Sequence, residues 1–206
     1  MTLTLPASNP QIVYCIGDNL YINLTDRCTL RCRFCPKHNG SRVVQGYDLT
    51  LDHRPALAEI LAALDDPAAY REVVFCGYGE PTLRLDVLVV VAHHIKALGG
   101  RVRVNTDGLG DRVHKNRALP AMQGCVDALS VSLNAQDAET YDRHCAPQLR
   151  GSFEAMLAFL RRAPHFVPEV TATAINGLPG VDIPACERLA HDLGVGFRCR
   201  VLDQVG

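Results

Sequence analysis

Asp18-Asn-Leu-Tyr-Ile-Asn-Leu-Thr-Asp-Arg-Cys28-Thr-Leu-Arg-Cys32-Arg-Phe-Cys35 runs from a strand into a group of thiols without a break. Tyr21, Asn23 and Thr25 alternate with Leu20, Ile22 and Leu24, the period of a strand with one polar and one apolar face. The cysteines follow at the strand's end, where an α/β barrel carries its active-site loops. Outward from this stretch, strand-length apolar segments alternate with segments of helical period. Strands are expected over Leu20–Thr25, Glu72–Gly77, Arg101–Thr106, Val126–Leu133, Glu169–Ile175 and Gly196–Leu202. Helices are expected over Leu51–Leu64, Leu83–Leu98, Arg112–Ala121, Ser152–Ala163 and Pro184–Leu193. Before the first strand, Gln11–Ile16 and the turn Gly17-Asp18-Asn19 predict a hairpin.

The fold class that follows is α/β. An eight-unit barrel takes about 250 residues, roughly 31 per unit, so the ~185 residues after the lead-in make about six units. The expectation is a partial (β/α)6 TIM-type barrel of parallel strands with an N-terminal hairpin, the last helix missing. One domain spans residues 1–206, with a lead-in over 1–18 and a cluster-binding loop over 26–47. Several strands have a polar face: Arg101, Arg103 and Asn105; Ser130, Ser132 and Asn134; Glu169, Thr171 and Thr173; Arg198 and Arg200. With helices covering the apolar faces, these residues line the lumen and make it a wetted cavity. The alternative is a sheet with one solvated face.

Composition limits the function classes. With 21 Lys+Arg against 22 Asp+Glu the 206-residue chain has a net charge of −1, which argues against a general nucleic-acid coat. The longest apolar run, Val87 to Ala92, is far short of the ~20 residues needed to cross a bilayer. No membrane association and a cytoplasmic location are expected. Nine cysteines without an export signal read as thiols and metal ligands rather than disulfides.

Cys28, Cys32 and Cys35, spaced C-x3-C-x2-C, fit three corners of a cubane iron–sulfur cluster, with one iron left open. His38 would instead complete a Cys3His zinc site. Taken alone the segment admits both. Phe75-Cys76-Gly77-Tyr78-Gly79-Glu80-Pro81, at the end of the second strand, decides between them: two glycines bring backbone close to a ligand beside an acid, for which a zinc knuckle has no use.

On these residues the chain resembles the radical S-adenosylmethionine (SAM) superfamily. Cys28, Cys32 and Cys35 match its CxxxCxΦC motif, with Phe34 as the aromatic. Gly77-Tyr78-Gly79-Glu80-Pro81 matches the "GGE" motif, and Asn105-Thr106-Asp107-Gly108 the third-strand "TNG" element with Asp107 where Asn is commoner. Ser130-Val-Ser132-Leu-Asn134 matches the polar fourth-strand element near the ribose. The stretch Asp18–Lys37 and the tail Arg198–Asp203 are similar to the TatD-associated radical SAM group, which implies a functional link to a TatD-type hydrolase. Pro36-Lys37 departs from the residues that follow the last cysteine in 7-carboxy-7-deazaguanine synthases.

The resemblance implies a [4Fe–4S] cluster on the three cysteines, SAM chelated to the open iron, reductive cleavage to a 5′-deoxyadenosyl radical, and hydrogen abstraction from a substrate. Glu80, with the carbonyls around Gly77 and Tyr78, would accept from the methionyl ammonium, and Phe34 would lie against the adenine. Ser132 and Asn134 would meet the ribose or carboxylate, unless they are only strand-end polar residues. Asp107-Gly108 reads equally as a turn. Of the other cysteines, Cys15, Cys76, Cys125, Cys145, Cys186 and Cys199, only Cys145 is a candidate for a substrate role, and His93-His94 reads as helix surface. The class rival is a zinc- or iron–sulfur-stabilised binding module without catalysis. Within enzymes, activation of a glycyl radical partner, nucleotide modification and small-metabolite chemistry stay open.

Two charge patterns bear on partners. Between Asp26 and Tyr47, Arg27, Arg31, Arg33, Lys37 and Arg42 stand against Asp26, a local charge of +4. This reads as a dock for an acidic flavodoxin or ferredoxin-type reductant, or as a solvated basic loop. On the polar strand faces Glu169 is the single acid counted against Arg101, Arg103, Arg198 and Arg200, so Arg103 or Arg200 is expected to bind an anionic group of the substrate. The alternative pairs these arginines with Asp107 or Asp203, or leaves Arg101 and Arg198 at the bottom rim.

Overall fold

The computed structural model describes residues 11–41 and 43–202. Most of the expected lead-in (residues 1–10), Arg42 of the basic loop and Asp203 lie outside the described residues. Strands β1 (Val13–Ile16) and β2 (Asn19–Ile22) form the N-terminal hairpin. Its loop has two residues, Gly17-Asp18, rather than three, because Ile16 pairs with Asn19 and Gly17 takes φ +56°. A small hairpin, β3 (Val43–Val44) and β4 (Tyr47–Asp48), follows the cysteine loop.

Five more strands complete the main sheet: β5 (Glu72–Phe75), β6 (Val102–Thr106), β7 (Ala128–Ser132), β8 (Glu169–Asn176) and β9 (Gly196–Val201). The order is β1-β2-β5-β6-β7-β8-β9, and every pair from β2 to β9 is parallel. Six parallel strands in chain order, led by an antiparallel hairpin strand and open at β9, form the expected partial barrel.

The helices are α1 (Leu57–Ala63), α2 (Leu85–Ala97), α3 (Gly110–Val113), α4 (Ala118–Met122), α5 (Ala138–Cys145), α6 (Ser152–Arg162) and α7 (Ile183–Asp192). In α2, Leu85, Leu88, Val91, Ala92 and Ile95 are buried at helical spacing. Helices of this kind cover Val102, Val104, Leu129, Val131, Ala172 and Ala174, all at most 1% exposed. Each such valine or leucine contributes about 1.5–3 kcal/mol of burial, each alanine roughly 0.8. His93 and His94 are exposed, as expected.

Four helix expectations change. The Leu51–Leu64 helix starts only at Leu57, because Pro55 holds the residue before it out of helical geometry. The Leu83–Leu98 helix is preceded by a 3-10 turn over Pro81–Arg84. The Arg112–Ala121 helix is two short pieces, broken where Lys115 and Asn116 adopt φ +53° and +64°. Helix α5 stands where no helix is expected. Asp137 caps it by accepting from the Thr140 amide at 2.8 Å, and its Thr140 and His144 are buried polar residues that hide the apolar period.

Candidate active site

The Cys28–Cys35 loop crosses the mouth of the barrel, held from three sides. The Arg31 and Arg33 amides donate to the carbonyls of Cys145 (3.0 Å) and His144 (2.9 Å), at the C-terminal end of α5. Gln148 donates its amide to the Thr29 carbonyl and Nε2 to the Cys28 carbonyl, both at 3.0 Å. Before the loop, the buried Arg84 guanidinium donates to the carbonyls of Leu24 (2.9 Å) and Pro55 (2.7 Å). Neither Arg84 nor Gln148 stands out in the sequence; each acts on backbone far from it in the chain.

Beneath the loop runs the turn after β5. The Glu80 amide donates to the Arg27 carbonyl at 2.8 Å. A Cβ on Gly79 would stand 2.4 Å from the carbonyl oxygens of Thr25 and Arg27, and one on Gly77 would stand 2.2 Å from Asn23 Oδ1. The glycines therefore make room for the cysteine loop's own chain and for Asn23, rather than for a ligand. Asn23 is fully buried, donating to the Leu49 carbonyl at 2.9 Å and accepting from the Tyr78 amide at 3.3 Å.

Glu80 and Asp107 form a buried acid pair. Glu80 Oε1 accepts from the Thr82 amide (3.0 Å), the Thr82 hydroxyl (2.6 Å) and the Thr106 hydroxyl (2.8 Å), and Oε2 from the Asp107 amide (2.7 Å). Three donors fill Oε1; only Oε2, with one, keeps acceptor capacity for an ammonium group. Burial, then Asp107 beside it, pushes the Glu80 carboxyl up to about 8. Asp107 accepts from the Thr29 hydroxyl and from the Leu109 amide, the latter at 2.9 Å. Its segment is a turn and a site residue at once: Gly108 takes φ +78°, while the carboxyl ties β6 to the cysteine loop.

One cavity brings together Cys28, Cys32, Phe34, Gly79, Glu80, Asn105, Thr106, Asp107, Ser132 and Asn134. Phe34 and Ser132 also line the adjoining opening, with Cys35, Gly77 and Tyr78. Tyr21, Ser130, Thr173, Arg198 and Arg200 share the first cavity, so the polar strand faces do line the lumen. Asn134, at φ +61°, donates Nδ2 to Cys145 Sγ at 3.5 Å. Cys145 is fully buried behind the loop, which makes it a neighbour of Cys32 rather than a group for substrate.

The loop fits an iron–sulfur cluster. The Tyr141 hydroxyl is buried with no hydrogen-bond partner among the described residues, and the ionisable groups it faces are Cys145, Asp107, Cys32 and Cys28. Cluster sulfurs would supply its missing acceptor. Burial, Asp107 and Glu80 push the Cys28 thiol up. Among the described residues no group of three or more His, Cys, Asp or Glu is gathered as a ligand set for one metal ion, and His38 is exposed. A Cys3His zinc site is therefore not built here, whereas a cubane seats each thiolate on its own iron.

The lumen arginines divide. Arg101, at the rim, donates to Glu169 (2.6 Å) and Glu72 (3.3 Å). Arg103 donates Nε to Glu72 (2.8 Å) and Nη1 to Asn105 (2.9 Å). Arg103 is thereby removed as a free anion-binding group; the count of one acid on these faces overlooked Glu72, at the start of β5. Among the described residues Asp107 pairs with no arginine. Arg198, although exposed on the edge strand, also lines the cavity, near Arg103, Arg200, Tyr21 and Glu72. Arg200 lines it too, and its buried Nε has no partner among the described residues.

A partial barrel with three loop cysteines over an acid pair and a polar lumen defines an enzyme of the radical SAM class. The chain belongs to the Radical SAM superfamily, whose family model matches residues 22–193. Members of that superfamily use a [4Fe–4S] cluster and SAM. The chain is similar to a probable GTP 3′,8-cyclase of Thermococcus kodakarensis, 32% identical over 162 residues, which cover 78% of this chain and 48% of the relative. It is also similar to the GTP 3′,8-cyclase of Streptomyces coelicolor, 31% identical over 202 residues, 92% of this chain and 54% of that one. The chain thus spans about half the length of these curated relatives. Among solved structures, TYW1 with a lysine-pyruvate adduct bound shares the fold with a TM-score of 0.64 at 16% identity, over 91% of this chain and 66% of that one. No helix among the described residues is long and apolar enough to cross a membrane.

Proposed function

We propose that the chain acts as one catalytic core that cleaves SAM reductively and abstracts a hydrogen atom from an anionic substrate bound in the lumen. When bound on Cys28, Cys32 and Cys35, the cluster supplies the electron and the open iron that SAM chemistry needs. Glu80 Oε2 accepts from the methionyl ammonium beside the carbonyls of Gly77 and Tyr78, a charge-assisted bond. Phe34 lies against the adenine, and Ser132 and Asn134 offer hydroxyl and amide groups to the ribose or carboxylate, with Asn105, Thr106 and Asp107 shaping the floor. The observation that carries the substrate reading is Arg200, a lumen-facing cation whose buried Nε has no partner among the described residues. The test is anaerobic incubation of the reconstituted enzyme with cell extract. The anionic fraction is expected to raise 5′-deoxyadenosine several-fold above the uncoupled background; stimulation confined to neutral and cationic fractions defeats the reading.

The GTP 3′,8-cyclase relatives favour a nucleotide as that substrate. The stretches Asp18–Lys37 and Arg198–Asp203 support a place in the TatD-associated group and a functional link to a TatD-type hydrolase. Free thiols throughout the chain support a cytoplasmic setting.

The reductant we propose is an acidic flavodoxin or ferredoxin. Arg27, Arg31 and Arg33 are exposed and make no ion pair among the described residues. Arg27, Arg31 and Lys37 rim a groove that has Cys28 on its wall. Clustered charge steers encounter and is screened by salt. Flavodoxin-driven SAM cleavage is expected to slow several-fold between about 50 and 200 mM salt, where the Debye length shortens from roughly 14 to 7 Å, while dithionite-driven cleavage does not. Equal insensitivity of both refutes the dock.

A further inference from the structure

We infer that the anionic group this lumen takes is doubly charged, with the chemistry of a phosphate ester, held between Arg198 and Arg200. The inference rests on the substrate-binding reading above and narrows it to a charge state. Three guanidiniums, of Arg103, Arg198 and Arg200, lie close enough to influence one another: burial and then the charges of Arg103 and Arg200 depress Arg198 below the usual arginine range. Among the described residues the carboxylate that reaches this group is Glu72, and both its oxygens are engaged, Oε2 by Arg103 and Oε1 by Arg101. Glu169 serves Arg101 at the rim. Glu80 and Asp107 stand at the cysteine end with their oxygens on Thr82, Thr106, Thr29 and backbone amides. Three cations against one carboxylate leave two positive charges without a partner among the described residues.

The remaining lining around these charges is rich in donors. Tyr21, Ser130 and Ser132 bring hydroxyls to the lining of the same cavity, the Thr173 hydroxyl being spent on the Val131 carbonyl at 3.3 Å, and Tyr21 lies near Arg198. Arg200 Nε is buried and unbonded, so it carries a desolvation cost that a bound oxyanion removes. A monoanion would cancel one of the two charges; a dianion with three oxygens cancels both and accepts from the guanidiniums and a hydroxyl together. The register of β8 with β9 sets Arg198 beside Thr173 and Arg200 beside Ile175, two residues apart on one face, which spaces the two forks along the strand.

The probe is inorganic phosphate, titrated against the reconstituted, SAM-loaded enzyme at pH 8 by calorimetry, with acetate at matched ionic strength as the monoanion. Phosphate is expected to bind saturably and at least tenfold more tightly than acetate, and Arg198→Met and Arg200→Met are each expected to weaken it at least tenfold. The melting midpoint of each variant without phosphate separates lost folding from lost binding, and each variant guards against misfolding of the other. Phosphate binding no tighter than acetate, or unchanged in two folded variants, overturns the inference. So does a loss of SAM affinity in Arg200→Met as large as the loss for phosphate, since Arg200 would then hold the SAM carboxylate. Failure of the wild-type enzyme to cleave SAM is the distinct outcome that sinks the underlying reading.

Discussion

Replacing Cys28, Cys32 or Cys35 by alanine is expected to give a folded protein that binds no cubane iron and forms no 5′-deoxyadenosine. Wild type should take up about four irons per chain on anaerobic reconstitution, the content of one cubane. Each thiol serves a different corner, so the loss of one is not shared by the other two. The fold should survive, because the loop's hold on α5 and Gln148 runs through backbone amides and carbonyls that alanine keeps. Removing one half-buried sulfur is a small change in packing, about 1 kcal/mol. Cys186→Ala is the matched control: its thiol is fully buried in α7, away from the loop, and iron content and SAM cleavage should match wild type. Normal iron in Cys32→Ala would refute the ligand assignment, and would point to Cys145, the thiol behind Cys32, as a replacement.

Gly79→Ala is expected to be nearly as damaging, by a different route. The added methyl group meets two carbonyl oxygens at 2.4 Å, and both belong to backbone, of Thr25 and Arg27, so no side chain can swing aside. Overpacking typically costs about 1–3 kcal/mol, and here relief requires moving the loop or the turn, so the upper end or beyond is expected. The same movement stretches the Glu80 amide bond to the Arg27 carbonyl and carries Cys28 with it. Thermal melting should fall by several degrees, and cluster uptake should fall with it. Gly124→Ala makes the comparison: its Cβ meets nothing within 4 Å, though its φ of +80° carries a modest cost of its own. A Gly79→Ala protein as stable and as rich in iron as wild type would remove the steric account of this turn.

The barrel was legible because alternation survives in the strands. Val102, Val104, Leu129 and Val131 read as an apolar face in the sequence, and they are buried under helices. The cysteine spacing alone left a cubane and a zinc site both open, and the Gly77–Pro81 turn stood out as two glycines beside an acid, although those glycines admit backbone and Asn23 rather than a ligand. What stayed hidden depends on partners distant in sequence. Glu72 is an ordinary acid at a strand start until β6 sets Arg103 beside it, and this pairing leaves Arg200, of the two arginines expected to bind an anion, without an ion pair among the described residues. Helix α5 was hidden because His144 is buried by a bond to the Pro179 carbonyl at 2.8 Å, which lets a histidine occupy a core position. Tyr141 likewise reads as core, and only its unbonded hydroxyl reveals that it faces the thiols.

The hold of Gln148 on Cys28 closes a loop of 120 residues, and the amides of Arg31 and Arg33 fix the intervening turn against α5. In an unfolded chain, gathering three thiols would cost conformational entropy at each step. A loop held against α5 and Gln148 by the folded barrel would lower that cost. With Cys28, Cys32 and Cys35 as the proposed ligands, once one thiolate is engaged the other two would act at the high effective concentration of a rigid chelate, which would couple cluster affinity to the integrity of α5, a helix that supplies none of the three.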